Sequence, residues 1–211
     1  MSPAPGTVRG MPPGRTGVLW LQHRLELART AADRLDQKLR VLRSRRAALA
    51  EELRRTGPAW DTACREAQQW LDRLLLLAGE RALCPEPGSG PAEVTTTWTT
   101  AMGVTYPVGA SCGFPDPDPR EAPLSSAALP LAREACRRAL GAAAEHAAVS
   151  RAAAELDGEI GRTRLRLRGI ERHWLPRLEA ALASAQRVID EEEHADGIRL
   201  RWARDVVEDS R

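Results

Sequence analysis

The sequence predicts a mainly α protein in which two long helices form an antiparallel coiled-coil rod. A loop-rich middle segment with a short β-hairpin joins them. Three observations lead there: an apolar stripe in the first 80 residues, a second in the C-terminal half, and a change of composition between them. The first stripe reads Val18, Leu21, Leu25, Ala28, Ala32, Leu35, Leu39, Leu42, then Leu49 and Leu53, mostly at alternating spacings of three and four. A stripe averaging 3.5 residues stays on one side of a helix only if that helix winds around a partner.

Residues 1–14 are rich in Pro and Gly and read as a disordered lead. The first long helix is expected over 15–83, since Val18 to Thr56 contains neither Pro nor Gly. Gly57 and Pro58 would ordinarily end it. The stripe nevertheless resumes at Trp60, Ala63, Ala67, Trp70, Leu74 and Leu77, so a kink or brief break near 57–58 is expected. At 1.5 Å per residue such a helix would approach about 100 Å if nearly continuous.

Residues 84–124 form a middle segment dominated by Pro, Gly, Ser and Thr. Val94 to Thr100 is β-prone, and Val104 to Val108 follows across Gly103, which suggests two short strands and a turn. A lone hairpin is marginal in water, so it should lean on the helices or on a partner. The second helix is expected over 125–207, with 208–211 as a tail. Its stripe includes Ala135, Ala139, Ala142, Val149, Ala153, Leu156, Ile160, Leu167, Ile170 and Trp174. Pro176 should bend it locally. Beyond Pro176 the stripe shifts by about one position, to Leu178, Leu182, Ala185 and Ile189, a step that changes coiled-coil winding. The last apolar residues are Ile198, Trp202 and Val206.

One Phe, one Tyr and six Trp are too few aromatics for a thick globular core. Helices meeting through a narrow Ala- and Leu-rich seam need no such core. The formal charge of +2 does not by itself call for a nucleic-acid partner. No run of about 18 apolar residues marks a transmembrane helix, and a cytoplasmic location is expected. Cys64, Cys84, Cys112 and Cys136 form no CxxC pair and so no zinc signature. Cys84 and Cys112 bracket the middle segment and could approach one another, but a reducing compartment favours free thiols.

Charge is distributed in blocks. Residues 162–177 hold six arginines against Glu171 alone. Residues 178–196 then carry six acids against Arg187 alone. Opposite blocks on one helix could steer it into oriented contact with charged surroundings, or could be a solvated surface with ordinary pairs. His23, His146, His173 and His194 are scattered, and neighbours such as Glu191 and His194 point in different directions around a helix. There is no Gly-rich phosphate loop, GxSxG or HExxH. No cofactor, metal site or catalytic residue is expected.

The assembled pattern resembles the D subunits of the V/A-type rotary ATPases, from Pro13 to about Arg204. Pro13, Gly14 and Arg15, then Leu21, Arg24, Leu25 and Ala28, look like that family's opening helix, which Lys38 and Leu42 continue. Met102, Gly103, Val104 and Pro107 resemble its hairpin region. The sharpest likeness is the block Ile170, Glu171, Leu175, Pro176, Arg177, Leu178 and Glu179, followed by Glu191 to Glu193 and Ile198 to Arg201. Arg40 stands where the family usually has an acid, Arg168 where a polar amide is common, and Ala31 in place of a Gly. The stretch Pro115 to Pro119 is also unusual.

The resemblance implies a non-catalytic central-stalk protein that carries torque between an ATP-hydrolysing ring of A and B subunits and an ion-translocating membrane rotor. The F subunit would bind along it, and a socket subunit would join its foot to the rotor. It would be peripheral to the membrane, through the complex. The same resemblance makes Arg24, Arg29, Lys38, Arg166, Glu171, Pro176, Arg177 and Glu179 candidate ring-contact or shaft residues. Two rivals share the helical pattern: a stand-alone tether or secretion-ATPase stalk, and a helical arm that binds nucleic acid through Arg162 to Arg177.

Overall fold

The computed structural model describes residue 10 and residues 12–83, 90–115 and 126–209. Most of the expected lead, Cys84 and most of the Pro115 to Pro119 stretch lie outside them. The protein is mainly helical, with a small antiparallel sheet in the middle. The long helix α1 spans Gly14–Ala78, and a 3₁₀ turn follows at Glu80–Leu83. Strands β1 (Glu93–Ala101) and β2 (Val104–Gly113) make the sheet. Helix α2 covers Ala128–Gly169, a π-helical turn occupies Ile170–Trp174, and α3 runs over Leu175–Asp209. The chain divides into two units, Met1–Leu39 with Arg162–Arg211, and Arg40–Gly161.

In the first unit α1 packs against α3. Leu21 and Leu25 are buried with Leu178 and Ala181, and Trp20, Ala28, Leu175, Leu182 and Ala185 close around them. Burying a Leu side chain is worth about 1.5–3 kcal/mol, so this seam holds the pair of helices together. Arg15 pairs with Glu193 and Arg29 with Glu179. Moving fourteen residues up α1 (29 − 15) therefore matches fourteen residues back along α3 (193 − 179), which is an antiparallel pair in constant register.

In the second unit α1 packs against α2, again antiparallel. Arg46 pairs with Asp157, Arg55 with Glu145, and Glu66 with Arg138. Between them the seam is small: Ala67 meets Ala135 and Ala139, and Leu74 meets Ala128, Leu129 and Ala132. Alanine at these levels lets the two backbones approach closely. Ser126 caps α2, its hydroxyl accepting from the Ala128 N–H at 3.2 Å.

The helical backbone of α1 continues through Gly57 and Pro58, where a kink or brief break was expected, without interruption of the helix. Its end comes earlier than the expected residue 83. Gly79, at φ +68°, donates its N–H to the Leu75 carbonyl at 2.9 Å. A left-handed residue here closes the last turn, and glycine adopts it without a Cβ penalty. Leu77, expected in the stripe, is 73% exposed, because the seam steps from Leu74 to the half-buried Ala78.

A second correction concerns Trp174, which the periodicity put in the seam and which is 53% exposed. The π turn causes it. Leu175 donates its N–H to the carbonyl of Ile170, five residues back rather than four. Pro176 supplies the reason, since it has no N–H for the Arg172 carbonyl and its ring would clash there. Widening the turn accommodates the ring and inserts one residue into the winding. Leu175 therefore packs into the seam in place of Trp174, and the stripe resumes at Leu178. This is the physical form of the one-position step legible in the sequence.

The hairpin turns at Met102 and Gly103, both left-handed, with φ of 50° and 75°. Its register runs from Ala101 opposite Val104 to Glu93 opposite Gly113, with an irregularity between Thr97 and Trp98. Trp98 pairs with Pro107 and Thr97 with Gly109, so Val108 is the extra residue. Val104, Tyr106 and Pro107 are buried. The hairpin leans on α2: the Cys112 thiol donates to the Leu140 carbonyl at 3.5 Å, and Arg137 stacks over Phe114.

Candidate functional site

All eight candidate residues fall in the first unit, on α1, the end of α2, the π turn and the start of α3. The fold brings two of them together. The Arg29 guanidinium donates to the Glu179 carboxylate at 2.9 Å, with both side chains at least half exposed. An exposed pair contributes about 0–1 kcal/mol, so it fixes alignment more than stability. Arg24 lies over the Trp20 ring, 4.7 Å from its centroid, which holds the guanidinium against the helix while its edge stays in water. Lys38 is half-buried. Arg166, Glu171, Pro176 and Arg177 are exposed.

The charge blocks acquire different roles once folded. Glu179 and Glu193 of the acidic block neutralise Arg29 and Arg15 of α1, and Asp196 pairs with Arg199 on its own helix. Part of that block is thus spent within the chain. Arg164, Arg166, Arg168, Arg172 and Arg177 present an exposed basic stretch around the π turn.

Apolar side chains accompany these charges. Leu165 and Trp174 stand among the arginines, and Ile198, Leu200 and Trp202 are exposed near the end of α3. Leu19 and Leu27 are exposed on α1. A monomeric helix pair gains nothing from large apolar groups in water, and such side chains are available to a partner that would cover them. The candidate residues did not include them. Leu19, Leu27 and Leu165 were legible as large apolar residues off the stripe; Trp174 was hidden by the π turn.

Among the described residues no group of three or more His, Cys, Asp or Glu could hold a metal ion, and no helix is long and apolar enough to cross a membrane. Cys64, Cys112 and Cys136 are free thiols. Burial pushes the Cys136 thiol above its ordinary pKa.

The family model for the ATP synthase D subunit matches residues 18–205, which includes both helical halves and the hairpin. The chain belongs to the ATP synthase D-subunit family. No curated protein matches it closely enough to be counted as a relative. As a member of that family it is a stalk component of a rotary ATPase, a role generally without catalysis. The geometry suits that role: cross-seam pairs in fixed register, and charged and apolar side chains on the outside.

Proposed function

We propose that this D-family protein is the central rotor shaft of a V/A-type ATPase. It passes torque between the ATP-hydrolysing ring of A and B subunits and the membrane rotor that moves ions. The observation that carries this reading is the family match over nearly the whole chain, residues 18–205. The F and socket subunits are its further partners, and it lies on the cytoplasmic side, held to the membrane through the complex.

In this reading the first unit enters the ring. Its exposed apolar residues, Ile198 and Trp202 among them, find cover there. Arg24, Lys38, Arg166, Glu171 and Arg177 meet the ring's inner surface, while Arg29 and Glu179 hold the shaft's own helices in register. Pro176 acts by forcing the π turn. Torque transmission requires that α1 and its partner helix do not slide, and apolar interdigitation with cross-seam pairs opposes sliding.

Titrating the purified protein into the intact ring from the same organism tests the reading, with complex mass and ATPase rate as readouts. Saturation at one copy per ring with altered turnover is expected. A ring that is intact and competent yet takes up none would overturn it and favour a stand-alone tether.

A further inference from the structure

Proline inside a helix removes one backbone hydrogen bond and crowds the carbonyl four residues back. In α1 this happens at Pro58, immediately after Gly57, the residue with the greatest backbone freedom. That dipeptide is a weak point, and the helix nevertheless continues through it. The residues around it converge on one side chain of α2, His146.

Thr56, a polar residue only 2% exposed, places its hydroxyl 3.0 Å from His146 Nδ1. Trp60 stacks on the imidazole with centroids 5.3 Å apart and an interplanar angle of 21°. Gly57 faces the ring directly, and a Cβ there would lie 3.6 Å from Cε1. The far edge of the imidazole is held by its own helix, with Nε2 3.4 Å from the Ser150 hydroxyl. Arg55 and Glu145, the neighbours of Thr56 and His146, pair beside it at 2.7 Å. Contacts from one ring thus fall at positions 56, 57 and 60, on both sides of Pro58.

We propose that His146 is a splint: by bonding Thr56 and stacking on Trp60 across the seam, it holds shut a hinge latent at Gly57 and Pro58. The splint is specific to this level. Where Ala67 meets Ala135 and Ala139 the seam is apolar, and such contacts slide and adapt more readily than a ring held at both nitrogens. The device lies within one unit and does not depend on the proposed role in a rotary complex.

Site-resolved hydrogen exchange on the full chain tests it. If the hinge opens, the bonds from the amides of Ala59, Trp60 and Asp61 to the carbonyls of Arg55, Thr56 and Gly57 break first. In His146→Ala these amides should exchange at least tenfold faster, with amides near Leu49 and Ala67 changed less than twofold. In the double variant His146→Ala/Pro58→Ala, where the missing backbone bond is restored, they should exchange within twofold of Pro58→Ala alone. Unchanged protection in His146→Ala would overturn the proposal. So would equal acceleration in the presence and absence of Pro58, because the loosening would then be unrelated to the hinge. If His146→Ala does not fold, the double variant decides: folding with normal protection supports the splint, and failure to fold refutes it.

Discussion

Replacing Trp174 and Leu178 separately by Ala distinguishes a seam that passes through the π turn from an uninterrupted one. On a regular heptad Trp174 would be a core residue, and truncating a buried Trp costs about 3–5 kcal/mol. In the structure it is 53% exposed, while Leu178 is 3% exposed and touches Leu21, Leu25 and Ala181. Leu178→Ala removes buried methyl groups and leaves a cavity, a change that costs about 2–5 kcal/mol. The seam is only two helices thick and half-buried Leu182 and Leu175 can relax into the gap, so the lower end, about 2–3 kcal/mol, is expected. That is about 30- to 140-fold in the folding equilibrium. Trp174→Ala should cost under about 1 kcal/mol, the range of changes at partly exposed sites. Urea unfolding followed by helical circular dichroism measures both. Equal losses in the two variants, or the larger loss at Trp174, would refute the assignment of Leu175 and Leu178 to the seam.

Two further outcomes follow from local geometry. Met102 is held at φ 50°, a left-handed conformation that costs an ordinary residue about 1 kcal/mol, so Met102→Gly should stabilise the hairpin by a few tenths to about 1 kcal/mol; a lowered Tm would contradict this. Because burial raises the Cys136 pKa, its reactive thiolate forms only at higher pH. Alkylation of Cys136, followed by peptide mass, should therefore rise at a higher pH in the folded protein than in the urea-unfolded chain. Coincident profiles would show that burial does not control this thiol.

The stripe of α1 was readable because an α-helix repeats every 3.6 residues, so a 3-4 alternation lies along one face whatever packs on it. Leu21, Leu25, Leu39, Leu42, Leu49, Ala67 and Leu74 are buried as that rule requires. The hairpin was readable from β-branched threonines flanking Met102 and Gly103, though not its bulge at Val108, which depends on how Trp98 and Pro107 pair. Among the candidate residues, Arg29 and Glu179 meet from positions 150 residues apart in the chain. No local pattern encodes such a pair, since it depends on the register between two helices.

The amino-acid sequence by itself determined the helical class, the two stripes, the hairpin and the one-position step after Pro176, all consequences of covalent geometry and side-chain periodicity. Tertiary structure decided how the step is made, turning Trp174 outward and Leu175 inward through a π turn. It also decided the fate of Pro58. A proline's missing hydrogen bond is written in the chain, but whether the helix survives it depends on what lies opposite, and here that is His146, 88 residues further on (146 − 58).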